Sequence, residues 1–189
     1  YISRFEYYYD IEEYTPKTWF RLEDIRNEKG PFILKGVTNS RKHEWSKFFA
    51  QDFQQAVEVY CELKNDSLIG SQDIIIRQYE QLKNYGKSLT GIPFANEWRF
   101  FFYKGNLISY GFYWSGAENK PKKEDIDPQA VLLAQQVADI VKDRTNGFVI
   151  DVAQKESGEW IVIELNDLQM SGLSDNDPED FYKNLAKII

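Results

Sequence analysis

Asp151, Glu164 and Asn166 are the residues whose types and spacing first point to chemistry. Asp151 interrupts the apolar run Phe148-Val149-Ile150-Asp151-Val152-Ala153. Glu164 and Asn166 interrupt a second run, Trp160-Ile161-Val162-Ile163-Glu164-Leu165-Asn166. Side chains two apart on a strand leave the same face, so Glu164 and Asn166 project together. If the two runs pair through a turn at Ser157-Gly158, Asp151 lies beside that face. Two carboxylates and an amide form a set of hard oxygen donors. Such a set is costly on a packed sheet unless a positive charge neutralises it. Mg2+ suits it, because that ion takes oxygen ligands and completes its shell with water and phosphates. The bland alternative is a solvent-facing sheet carrying ordinary polar residues.

The basic residues pose the complementary question. Lys35 sits inside the strand-like run Phe32-Ile33-Leu34-Lys35-Gly36-Val37. It either points outward from an alternating strand or meets an anion such as a phosphate. Lys42 lies in the polar stretch Thr38 to Glu44, and taken alone it is a solvated loop charge. Arg99, within Glu97-Trp98-Arg99-Phe100-Phe101-Phe102-Tyr103, has a fork able to hold a γ-phosphate or a carboxylate; a salt bridge to Glu97 is the structural alternative. Arg77, in Ile74-Ile75-Ile76-Arg77-Gln78-Tyr79, reads as structural or peripheral. His43 is the single histidine and has no identifiable partner for base catalysis, and Cys61 is expected on the core face of a helix. There is no Gly-x-x-x-x-Gly-Lys phosphate loop and no Gly-x-Gly-x-x-Gly fingerprint. Lys35-Gly36 lacks the Lys-x-x-Gly spacing of covalent nucleotidyltransferases.

The bulk composition narrows the function classes. The chain has 189 residues, 42% hydrophobic and 16% aromatic, enough for one core or two joined lobes and against disorder. A net charge of -7 and a pI near 4.9 disfavour long-range attraction to nucleic acid. One Cys and one His permit neither a disulfide within the chain nor a Cys/His metal set. The single cysteine fits a reducing compartment, so a cytoplasmic location is expected. No run of about 18 apolar residues and no signal peptide is present. The chain opens on Tyr1 rather than Met, which suggests that a longer natural chain precedes it.

The elements that must position these residues follow from pattern. Tyr1 to Glu28 reads as a mixed lead-in ending at Lys29-Gly30-Pro31. Strands are expected over Phe32 to Val37 and Asp73 to Tyr79, with a helix over Phe48 to Leu63 and a polar loop from Gln81 to Gly91. Glu97 to Tyr103 and Leu107 to Tyr113 flank a Gly-Asn turn in Lys104-Gly105-Asn106 and read as a β-hairpin. Asp127-Pro128 starts a helix to about Lys142, with Val131, Leu133, Ala134, Val137, Ile140 and Val141 on its apolar side. Asp177-Pro178 starts a last amphipathic helix.

Taken in this order, the elements resemble the ATP-grasp fold from Phe32 to Leu173. More narrowly they resemble the ATP-grasp clade marked by an arginine and two lysines. Pro31-Phe32-Ile33-Leu34-Lys35, Ser40-Arg41-Lys42-His43-Glu44-Trp45, Glu97-Trp98-Arg99-Phe100-Phe101 with Lys104-Gly105, and Ile163-Glu164-Leu165-Asn166 with Ser171-Gly172 carry the likeness. The resemblance implies an α+β fold, two lobes with antiparallel sheets clamping a nucleotide. It divides the chain into a lead-in (1–30), a small lobe (31–80) and a large lobe with the metal site (81–189). The usual N-terminal substrate-binding domain would be absent or reduced to the first thirty or so residues, and the loop after Lys35 is not glycine-rich as it is in many ATP-grasp enzymes.

The resemblance also implies roles. Lys35 would contact the α/β-phosphates and Lys42 the β/γ-phosphates. Ile76 to Leu82 would be the adenine hinge, with the backbone around Gln78 and Tyr79 reading the base edge and Leu82 also part of the nucleotide site. Arg99 would stabilise the transferring phosphoryl group, and Asp151, Glu164 and Asn166 would hold Mg2+. The implied activity is an ATP- and Mg2+-dependent carboxylate-amine ligase working through an acylphosphate, with Arg99 and Lys42 catalytic. Its partners would be small-molecule or peptide carboxylates and amines, with neither nucleic acid nor membrane expected. A non-catalytic nucleotide- or partner-binding module, or a phosphotransferase on the same fold, are the alternatives.

Overall fold

The computed structural model describes residues 1–38, 45–89 and 91–189. The elements run α1 (Tyr8–Ile11), β1 (Thr18–Trp19), β2 (Phe32–Gly36), β3 (Phe49–Ala50), α2 (Phe53–Asn65), β4 (Ile74–Gln78), β5 (Asn84–Lys87), β6 (Pro93–Ala95), β7 (Glu97–Tyr103), β8 (Asn106–Phe112), α3 (Pro128–Val141), β9 (Gly147–Gln154), β10 (Trp160–Asp167) and α4 (Pro178–Leu185). Among the described residues these strands form two four-stranded sheets, ordered β1-β4-β2-β3 and β10-β9-β7-β8, and the small hairpin β5-β6. All pairings are antiparallel, so the mixture of helices and antiparallel sheets is α+β, as expected.

The first sheet has two different faces because its strands alternate. Phe32, Leu34, Ile74 and Ile76 pack with Ala56, Val59 and Leu63 of α2. The opposite face carries Ile33 across from Arg77 and Lys35 across from Ile75. Ile75 belongs to the core of the second sheet, so this face is turned toward the other lobe.

The second sheet repeats the logic. Trp98, Phe100 and Phe102 of β7, and Phe148, Ile150 and Val152 of β9, pack with the Ala130, Ala134, Val137, Ala138 and Val141 stripe of α3. That stripe has helical spacing, and Ile140 lies off it, 38% exposed instead of buried. The other sheet face is divided along its length. At one end Phe101 and Val149 meet Phe181 of α4. At the other, Arg99 and Asp151 stand opposite each other. The cleft therefore lies between this polar half and the Lys35 face of the first sheet.

The first thirty residues join both cores. Ile2, Phe5, Tyr7, Tyr8 and Ile11 pack into the second sheet's core, whereas Trp19 and Ile25 enter the first. Phe5, Tyr7, Tyr8 and Trp19 are buried there, whereas Tyr9 is exposed, so the segment packs against both sheets and is not set apart as an appendage.

Several expectations change at the level of boundaries. The expected helix from Phe48 begins at Phe53, because Asp52 caps it by accepting from the Gln55 N–H and Phe49–Ala50 pairs with β2. The expected loop from Gln81 to Gly91 contains β5, which pairs with β6 just beyond it. The turn of the aromatic hairpin is Lys104-Gly105, both with positive φ (49° and 75°), the arrangement that matches strand twist. Cys61 is exposed, since α2 turns Ala56, Val59 and Leu63 inward instead. Among the described residues no helix is long and apolar enough to cross a membrane.

Candidate functional site

Two cavities meet between the lobes. The larger, about 510 Å³, runs from Ile33 and Lys35 past Tyr79, Glu80 and Leu82 to Trp114, with Glu97 and Glu164 on its wall. The smaller, about 300 Å³, is lined by Lys35, Arg99, Tyr113, Asn166 and Ser171 among others. Lys35 and Glu164 line both. The larger volume is within the usual range for a small-molecule site.

The two shared residues form an ion pair across the cleft. Lys35 Nζ donates to Glu164 Oε2, bridging chain positions 129 residues apart, and both side chains are nearly buried. Strand alternation places Lys35 there, because Leu34 and Gly36 turn to the opposite face. The outward-pointing alternative for Lys35 is thereby removed.

Asp151 lies directly across from Glu164 in the β9-β10 ladder and from Arg99 in the β7-β9 ladder. Arg99 Nε donates to Asp151 Oδ1 at 2.8 Å and Nη2 to Oδ2 at 2.7 Å, a bidentate pair. Nη1 donates to the Gly172 carbonyl at 2.9 Å, and the Tyr113 ring lies 4.6 Å from the guanidinium. Burial acts to lower the Arg99 pKa, but the bonded Asp151 carboxylate outweighs it and the net direction is up. Arg99 is thus a fixed cation whose carboxylate partner is Asp151 and not Glu97. Asn166 closes the group, its Nδ2 lying 3.0 Å from Asp151 Oδ2 and 3.3 Å from Glu164 Oε1.

These three side chains form one oxygen-rich cluster on one face. Among the described residues no trio of His, Cys, Asp or Glu gathers, and the third member of this cluster is an amide. The carboxylate oxygens and the Asn166 Oδ1 are hard donors of the kind Mg2+ takes; here Asn166 turns its Nδ2 toward both carboxylates, and both Asp151 oxygens accept from Arg99. Glu164 and Asn166 border the smaller cavity, whereas Asp151 is fully buried against Arg99.

Arg77 is buried on the cleft side of β4. Its Nη2 donates to Thr15 Oγ1 at 2.7 Å, its Nε to Thr18 Oγ1 at 3.3 Å, and its Nη1 to the Ile163 carbonyl. Burial lowers its pKa from the usual arginine value.

Residues 22–185 match an ATP-grasp domain family, the third family of the clade named for one arginine and two lysines. This chain belongs to that family.

No curated protein matches the sequence. Solved ATP-grasp structures share the fold. The ATP-grasp ligase PsnB, complexed with a phosphomimetic variant of its minimal precursor, Mg and ADP, superposes with a TM-score of 0.58 at 14% identity, over 99% of this chain and 57% of that one. D-alanine–D-alanine ligase from Bacillus anthracis complexed with ATP gives 0.60 at 11% identity, over 99% and 63%. L-amino acid ligase from Bacillus licheniformis gives 0.55 at 13% identity, over 87% and 39%. The chain spans less than two thirds of each of these proteins.

The ATP-grasp cleft brings together most of the residues singled out from the sequence. Lys35, Gln78, Tyr79 and Leu82 line the larger cavity. Arg99, Glu164 and Asn166 line the smaller, with Asp151 behind Arg99. Lys42 and His43 lie outside the described residues. Sequence alone offers Glu97 only as a partner for Arg99, yet it is 5% exposed and lines the larger cavity. Its signal is the i, i+2 relation to Arg99, which puts both on one strand face.

Proposed function

We propose that this ATP-grasp chain is the nucleotide-binding part of an ATP-dependent ligase that joins a carboxylate to an amine. The observation that carries the proposal is Lys35 meeting Glu164 where the two cavities join, with Arg99 opening onto the smaller one.

ATP would occupy the larger cavity with its phosphates directed to that junction. The Gln78 and Tyr79 N–H groups already donate to the Lys17 and Pro31 carbonyls. Leu82 bridges Lys155 without sharing the flanking ladder bonds, which run from Lys83 to Gln154 and from Glu156 to Gln81. At such a position the backbone groups point away from the partner strand, so Leu82 is suited to read a base edge from the cavity wall. Gln78 and Tyr79 would shape the pocket with their side chains, and Glu97 would accept from ribose hydroxyls.

Lys35 would hold phosphate oxygens, as would Lys42. Glu164 and Asn166 would hold Mg2+, with Asp151 completing the cluster through Arg99; the ion, when bound, neutralises charge on the phosphate chain. In the reaction a substrate carboxylate oxygen bonds to the γ-phosphorus while the bond to the β,γ-bridging oxygen breaks, and ADP leaves with that electron pair. The amine nitrogen then bonds to the acyl carbon, phosphate departs, and the nitrogen releases a proton. Arg99, anchored by Asp151, would stabilise charge on the transferred group. Fixed charges and positioning supply catalysis of this kind without a covalent nucleophile on the protein.

ADP and phosphate release should be measured with ATP, Mg2+ and panels of amino acids and short peptides. Release that requires both a carboxylate and an amine, and is lost in Arg99→Ala at a temperature where circular dichroism shows that variant still folded, is the expected result. ATP binding without release under any pairing would mark a binding module. A stable phosphorylated product would mark a phosphotransferase.

A further inference from the structure

We infer that Arg77 is a positioning residue: from the small lobe it holds the irregular turn of β10 that aims Glu164 into the cleft. The register of β9 and β10 breaks between Val162 and Glu164. Val162 pairs with Val152, and Glu164 already pairs with Asp151, the next residue along β9. Ile163 is therefore an extra residue on β10, a β-bulge. Its consequence is directional. Trp160 and Val162 belong to the buried core under α3. On a regular strand, Glu164 would share their face. The bulge sends it to the opposite face, where it stands beside Asp151 and meets Lys35.

A bulge leaves backbone groups out of the ladder, and they need other partners. Arg77 and Thr15 supply them. Arg77 Nη1 donates to the Ile163 carbonyl, and Thr15 Oγ1 donates to the Val162 carbonyl at 2.9 Å. Arg77 Nη2 in turn donates to Thr15 Oγ1 at 2.7 Å. Nε is fixed on Thr18, and the Phe5 ring lies 5.5 Å from the guanidinium. These groups that hold the bulge come from β4 and from the first eighteen residues. Because Arg77 shares a strand face with Lys35, the small lobe sets both Glu164's aim and Glu164's cationic partner. A lysine could not reproduce this, since it lacks the planar fork that reaches three acceptors at once.

The inference rests on the metal- and phosphate-side role proposed for Glu164, and its test separates the two. Arg77→Met, Arg77→Lys and the milder Thr15→Val should be compared with wild type by amide hydrogen exchange, and by calorimetric ATP affinity with Mg2+ and with EDTA. Exchange across residues 162–165 should rise about tenfold or more in Arg77→Met, while that of Phe100 and Ile150 stays near wild type. The gain in ATP affinity conferred by Mg2+ should fall about tenfold, with affinity in EDTA changed about twofold at most. Thr15→Val should show the same pattern more weakly, and Thr15→Ser should restore wild-type behaviour. A uniform rise in exchange across the sheet, or an unchanged Mg2+ gain, would overturn the inference. Wild-type protein that binds no ATP would instead defeat the proposed function, and the exchange comparison alone would then decide whether Arg77 holds the bulge.

Discussion

Arg99 and Asp151 face each other across adjacent strands and share two hydrogen bonds, with Asp151 sealed from solvent. A carboxylate in that position tolerates burial because the guanidinium fork matches both of its oxygens. Arg99→Ala removes the match and leaves the acid buried, which should cost about 3–5 kcal/mol. Arg99→Lys should recover only part of the loss, since a lysine offers no fork. Urea unfolding of the two variants checks this, and near-wild-type stability of Arg99→Ala would contradict it.

Lys35→Met probes the cross-lobe pair with Glu164. Methionine keeps most of the stem's packing while removing the charge. Stability should fall, because the nearly buried Glu164 carboxylate loses the Lys35 charge, and ATP affinity should weaken by about 1.5–3 kcal/mol, the scale of hydrogen bonds to a charged group. Isothermal titration with Mg2+ATP measures it; an unchanged affinity would place the phosphates elsewhere.

Tyr7 gives stability a dependence on alkaline pH. It is fully buried, and that burial drives its pKa well above the usual tyrosine value of 10.0. Above pH 10 the unfolded chain releases this proton while the folded chain retains it. Unfolding is then favoured as pH rises, by about 1.4 kcal/mol per pH unit for this group. Below pH 10 both states hold the proton and the contribution is flat. Tyr7→Phe should therefore show a shallower loss of stability above pH 10 than wild type in denaturant titrations, and identical slopes would refute the assignment.

Asn176 and Gly111 pin the segment that carries Gly172. Asn176 accepts from Ser109 Oγ at 2.6 Å and donates to the Leu173 carbonyl at 2.9 Å. A Cβ on Gly111 would lie 2.5 Å from the Asp175 carbonyl carbon, so the backbone can pass there only over glycine. Asn176→Ala should cost about 1–3 kcal/mol by leaving buried polar groups unmatched. Gly111→Ala should lower the melting temperature through the backbone clash. A Gly111→Ala protein as stable as wild type would show that the segment moves aside freely.

The local elements are legible in the order of the residues. Asp127-Pro128 and Asp177-Pro178 predict helix starts, and both aspartates cap their helices. The aromatic run from Glu97 to Tyr103 predicts its strand, and Lys104-Gly105-Asn106 predicts its turn to within one residue. The shared face of Glu164 and Asn166 is legible too, because it depends only on a two-residue period. These are short-range consequences of backbone geometry, so neighbouring residues suffice to specify them.

How those pieces face one another is settled by packing. A period-two reading of Trp160 to Asn166 would keep Glu164 on Val162's face, and the bulge at Ile163 reverses it. That bulge is held by Arg77 and Thr15, far away in the chain, so nothing within the strand announces it. The choice of Asp151 over Glu97 as the partner of Arg99 is likewise set by strand pairing. Cys61 faces solvent because α2 rotates to bury Ala56, Val59 and Leu63 against the first sheet. In each case a side chain's direction depends on contacts between distant segments, and those exist only once the lobes have packed.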